Sequence, residues 1–129
     1  MGMFRVIIAG GRDFSDYGLL ERTVDSFLSG RGGEEITVLC GKARGADALG
    51  ERYARARGYA LRCYPADWER YGRAAGCIRN QEMAQNADAL VAFWDGASRG
   101  TGHMIGAARR RRLAVLIQPY EKTRREDRW

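Results

Sequence analysis

Five short apolar runs punctuate the chain, at residues 4–9, 36–40, 60–64, 89–94 and 113–118. Each is rich in Val, Ile, Leu or aromatic residues and almost continuous in hydrophobicity. That pattern suits strands covered on both faces, as in a parallel sheet. The intervening segments change period. Leu20, Val24, Phe27 and Leu28 repeat on one helical face, behind Ser15 or Asp16 as a cap. Residues 46–57 are Ala-rich and helix-favouring, with Gly58 where a C-terminal cap glycine belongs. A third helix is predicted over 74–86 with Ile78 and Met83 as core contacts, and a fourth over 100–112 with Met104, Ile105 and Ala108 on its inner face. Strictly alternating strands and helices predict one α/β domain: a three-layer sandwich around a mainly parallel five-stranded sheet, joined by right-handed crossovers. The expected boundaries are a domain over 1–119 and a polar, mixed-charge tail over 120–129.

The turns carry the chemistry. Gly10-Gly11-Arg12-Asp13 follows the first strand, Gly41-Lys42-Ala43-Arg44-Gly45 the second, and Asp95-Gly96-Ala97-Ser98-Arg99-Gly100-Thr101 the fourth. In an open parallel sheet all three lie at the carboxyl edge, where ligands bind. Glycines there let backbone N–H groups approach a ligand, and the following helix offers unpaired N–H donors and a positive dipole end to an anion. With Arg12, Arg44 and Arg99 inside the turns, the expectation is a cradle for a small phosphorylated ligand, to which Ser98 and Thr101 add hydroxyls. Neither GxGxxG nor GxxxxGK[ST] is present.

Composition removes other classes. With 129 residues, 45% hydrophobic and 29% charged, the chain is long enough for one unstapled core. No apolar run approaches the ~18 residues of a membrane helix, and the first ten residues read as a strand rather than a signal peptide. Cys40, Cys63 and Cys77 form no CxxC pair and His103 is the sole histidine, so spacing predicts neither a disulfide nor a zinc framework. The expectation is a reduced, cytoplasmic, metal-free protein without a resident cofactor. The net charge of +6 owes four units to Arg109–Arg112, at the end of the fourth helix where the dipole favours cations. Because that end lies away from the carboxyl edge, nucleic acid is not the expected partner.

In order along the chain, Gly10-Gly11-Arg12-Asp13-Phe14, Gly-x-Ala-x-Gly-Ala-Asp at 41–47, Pro65-Ala66-Asp67-Trp68, Ala75-Gly76, Arg79-Asn80, Met83, Ala87-Asp88 and Gly100-Thr101 resemble the YspA/YpsA-related branch of the SLOG superfamily over residues 4–118. The resemblance implies a Rossmann-like nucleotide-binding domain, homodimers, and a ligand that is a nucleotide or derived from one, bound as by a sensor or sequestering domain. It also brings phosphoribohydrolases of the LOG type as an enzymatic alternative, and DNA-processing proteins of the DprA type as a more distant one. The LOG phosphate loop matches Gly96 to Thr101, and the arginine of the LOG Arg-Lys-x-x-Met helix matches Arg79. The LOG catalytic glutamate falls on Met104, which can neither donate a proton nor stabilise an oxocarbenium ion. Lys42 stands where the family usually has glycine.

Individual residues keep two readings. Asp13 and Asp95 are candidates for ribose hydroxyls or for a substitute acid, Asp47 for a dipole-favoured first-turn residue. Glu82, one turn from Arg79, is expected to pair with it. Trp68 and Trp94 are candidates to stack on a base or to fill the core. His103 is expected on the periphery and Cys40 as a buried thiol.

Overall fold

The computed structural model describes residues 2–122; the expected tail therefore lies outside the described residues from position 123 onward. Its five strands are β1 (Met3–Gly10), β2 (Glu35–Cys40), β3 (Ala60–Cys63), β4 (Ala89–Trp94) and β5 (Ala114–Pro119). All pair in parallel, in the order β3-β2-β1-β4-β5. The helices are α1 (Tyr17–Leu28), α2 (Ala46–Arg57), α3 (Trp68–Tyr71), α4 (Ala75–Gln85) and α5 (Arg99–Arg110), with a 3-10 turn over Gly72–Ala74. The result is the expected α/β sandwich.

Because successive strand residues point to opposite faces, each central strand feeds two cores at once. Val6 and Ile8 join Leu20, Val24 and Tyr53 beneath α1 and α2, while Ile7 and Ala9 join Met83, Met104 and Ile105 beneath α4 and α5. This explains the near-continuous hydrophobicity of β1, β2 and β4. β3 departs from the expectation: as an edge strand it exposes Ala60, Arg62 and Cys63.

Local signals set the helix ends. Asp16 caps α1 by accepting from the N–H of Leu19 at 3.0 Å. Gly58 ends α2 in the left-handed region at φ 71°. Two expectations need correction. Ile78 is not a core contact; it is 37% exposed, because α4 packs through Asn80, Met83 and Ala84 and Ile78 sits about 200° round the helix from Asn80. The short α3 is an element that the apolar periodicity does not predict, and Asp67 starts it by accepting from the N–H of Arg70 at 3.1 Å.

β1 is central, and the chain runs from it first to β2 and β3, then crosses to β4 on its other side. The strand order therefore reverses between β1 and β4. A crevice opens at the carboxyl ends of two such strands, where their connections diverge. No helix among the described residues is long and apolar enough to cross a membrane.

Candidate functional site

A cleft of about 550 Å³ occupies that crevice. From the first turn it is lined by Gly10, Gly11, Arg12 and Asp13, and from the second by Ala43 and by Asp47 at the start of α2. Trp68, Arg79 and Asn80 close one side, and Asp95, Ser98, Gly100 and Thr101 the other. Gly41, Lys42, Arg44, Gly45, Asp67 and Gly96 do not line it. The expected residues are thus brought together from the first and fourth strands, but only in part from the second.

The second turn folds in on itself. Gly45, at φ 73°, lies so close to the first turn that a Cβ would sit 2.6 Å from the carbonyl oxygen of Arg12, so glycine is required there for both conformation and space. Lys42 adopts the left-handed φ of 60°, a conformation that glycine takes without the steric cost a Cβ brings. Its ammonium turns away from the cleft to Glu51 Oε1 at 2.9 Å. Asp67 is occupied as the α3 cap. Even in the first turn, the Gly11 N–H donates to the Phe93 carbonyl rather than facing the cleft.

The third turn is arranged differently. Asp95 Oδ1 accepts from the N–H groups of Ala97 at 2.9 Å and Ser98 at 2.8 Å. These bonds hold the Asp95 carboxyl below its ordinary value. The loop so formed delivers α5 with no side-chain cap at Ser98. The N–H groups of Arg99, Gly100 and Thr101 precede the first intrahelical bond, from Gly102 to Ser98, and so have no acceptor within the helix. All three residues line the cleft.

Asp47 has the opposite electrostatics from Asp95. It is only 5% exposed, and burial pushes its carboxyl up despite the N–H of Ala43 at 3.2 Å and the nearby Arg79 guanidinium. Arg79 donates to the Gly41 carbonyl and, through Nε, to Asn80 Oδ1 at 2.9 Å. Among the described residues it makes no ion pair with Glu82, contrary to expectation, because its side chain turns inward across the end of β2. Asn80, 6% exposed, donates to the Gly100 carbonyl at 3.4 Å and faces His103 Nδ1 at 3.2 Å. Asp13 accepts from the Tyr120 hydroxyl at 2.5 Å, and the Tyr120 ring packs edge-on against Phe14.

Sequence reasoning missed several lining residues. His103 is not peripheral; it lies one turn into α5 in the cleft wall, where burial and Arg110 lower its pKa. Arg73 arrives through the 3-10 segment that follows α3, Cys77 from the first turn of α4, and Lys122 from beyond β5. Only the helical spacing of His103 from Gly100 could have signalled its position. Met104, on the inner face of α5, is buried in the core while touching the cleft. Trp94 packs against α5 with its ring N–H on the Ser98 carbonyl at 3.0 Å, whereas Trp68 stays 53% exposed on the rim.

The model of the YspA, cpYpsA-related SLOG family matches residues 4–71, a stretch that holds the first two turns and Asp67-Trp68. The chain is also similar to the Gene 61 protein of Mycobacterium phage D29, at 35% identity over 120 residues, covering 88% of this chain and 95% of that protein.

Proposed function

This chain belongs to the YspA, cpYpsA-related SLOG family, and from that premise we propose that it binds a nucleotide or nucleotide-derived phosphorylated ligand in the β1/β4 cleft. Membership points at a coarse level to nucleotide-related binding or processing. The observation that carries the finer reading is the bare N-terminus of α5 opening into a cleft at the reversal of strand order. Arg12, Arg73, Arg79, Arg99 and Lys122 outnumber Asp13, Asp47 and Asp95 around it. A phosphate seats on the N–H groups of Arg99, Gly100 and Thr101, with the Ser98 and Thr101 hydroxyls beside it. In this reading Asp13 takes a ribose hydroxyl beside its Tyr120 partner, and the exposed Trp68 face stacks on a base.

One observation favours turnover as a second reading. A general acid for N-glycosidic cleavage needs a carboxyl raised toward neutrality. Asp47 lines the cleft at only 5% exposure and is raised by that burial, whereas Asp95 is lowered and committed to its own loop. The enzymatic alternative therefore assigns the acid to Asp47.

Denaturing the purified protein and identifying what it releases by mass spectrometry tests the first reading, followed by thermal shifts with a nucleotide panel. A released or stabilising nucleotide with no product on chromatography supports a sensor or sequestering domain. Free base and ribose phosphate, abolished by Asp47→Asn, support the enzyme. No release and no shift with any nucleotide overturns both.

A further inference from the structure

Outside the cleft, the β2/β3 register makes Cys40 and Cys63 direct partners at the ends of their strands. Register partners on parallel strands project to the same face, and α2 covers that face with Glu51. The Cys40 and Cys63 sulfurs lie 3.7 Å apart, Cys63 Sγ lies 3.4 Å from Glu51 Oε1, and all three donor atoms fall within 4.8 Å of one another. These separations can be compared with a tetrahedral zinc centre. Bonds of about 2.3 Å to sulfur and about 2.0–2.2 Å to oxygen place two sulfurs ~3.8 Å apart and sulfur and oxygen ~3.5–3.7 Å apart.

We propose that Cys40, Cys63 and Glu51 form a binding site for a thiophilic divalent cation of the zinc type. Two thiolates select such an ion over calcium or magnesium, which prefer all-oxygen shells. On binding, both S–H protons leave to solvent and two metal–sulfur bonds replace the Cys40-to-Cys63 and Cys63-to-Glu51 hydrogen bonds. Two thiolates, one carboxylate, the divalent ion and the Lys42 ammonium on Glu51 then sum to zero charge. Cys63 is exposed, so solvent reaches the fourth position. The ion would join the ends of β2 and β3 to α2, one turn beyond Asp47. This departs from the metal-free reading of the cysteine spacing, because the three donors are scattered in sequence and meet only through strand register.

The test is a Co²⁺ titration of the reduced, metal-free full chain, followed by absorbance, with Zn²⁺ competing. The expected result is one equivalent with a thiolate-to-cobalt charge-transfer band and tetrahedral visible bands, displaced by Zn²⁺. Cys63→Ser and Glu51→Gln are chosen because buried Cys40 is a risk to folding. Cys63→Ser should weaken binding by more than the ~10–100-fold typical of losing an outer-shell partner, Glu51→Gln should weaken it measurably, and Cys77→Ser should leave it unchanged. A titration without the charge-transfer band, a Cys63→Ser protein that binds as well as the parent, or loss of the band in Cys77→Ser overturns the proposal. So does a Cys40–Cys63 disulfide that forms with added Zn²⁺ present and excludes it.

Discussion

The turns after β2 and β4 share a vocabulary of glycine, small residues and one arginine, yet they do different work. After β2, the glycines let pieces of protein approach one another: Gly45 abuts the first turn, and the Gly41 carbonyl takes the Arg79 guanidinium. After β4, the carboxylate shapes the loop from within and leaves the start of α5 without a cap. A glycine-rich turn at a carboxyl edge is therefore not a binding loop by composition. What distinguishes the two is where their N–H groups end up.

Replacing one glycine in each turn should break the comparison most sharply. Gly45→Ala combines a left-handed φ with a clash against backbone and should cost about 3 kcal/mol or more in urea denaturation, or prevent folding. Gly100→Ala meets nothing within 4 Å; it should stabilise the helix by roughly 0.5–1 kcal/mol while weakening nucleotide binding measured by calorimetry. Similar stability losses in both would erase the distinction.

Arg79 touches both regions, so its loss shows which it serves. Arg79→Ala should lower nucleotide affinity by ~10–100-fold, the scale of a charged hydrogen bond, beyond any change in melting temperature. A stability loss with unchanged affinity would assign it to the β2 turn alone.

The two carboxylates should respond to pH with opposite signs. The Asp47 carboxyl is raised by burial, so its contribution is complete below the ordinary carboxylate value and lost as pH rises through the folded one. Asp47→Asn should then be more stable than the parent at neutral pH, with the advantage vanishing in acid. Asp95 is lowered by its N–H partners, so its contribution is present above the ordinary value and lost as pH falls through the folded one. Asp95→Ala should cost about 1 kcal/mol at neutral pH, on the scale of a lost cap, with the gap closing on acidification. Melting temperatures across pH 3–8 (roughly the carboxylate-to-histidine range) separate the pair.

The smallest effect is expected at the far end of α5. Its 12 residues span about 18 Å, well beyond the ~10 Å Debye length at 0.1 M salt. Replacing Arg109, Arg111 and Arg112 by Gln, and keeping Arg110, whose charge reaches His103, should change nucleotide affinity by less than about twofold at that ionic strength. A large loss would mean that the arginine block belongs to the ligand-facing region after all.

Much of the architecture was legible because it depends on short-range physics. Continuous apolar runs, the Asp16 cap and Gly58 each state a local preference that the fold keeps. Cleft residues from the first and third turns were legible for the same reason, as each follows a recognisable strand. Lys42 and Arg44 do not line the cleft, because turn composition does not say which way a side chain exits. The desolvation of His103 and Asp47 depends on neighbours far away in sequence, so no local pattern shows it. For Arg79, a local helix pairing with Glu82 lost to the backbone carbonyl of Gly41, 38 positions upstream.

The chain by itself determined the alternation of strands and helices, the single α/β layer plan and the family, since these follow from periodicity and ordered motifs. Tertiary structure alone decided the strand order that opens the cleft between β1 and β4. It also decided which carboxylate is desolvated and the meeting of Cys40, Cys63 and Glu51 at one point. The physical reason is common to all three. Register, desolvation and donor spacing are properties of distances between segments, and no local pattern of residues encodes a distance.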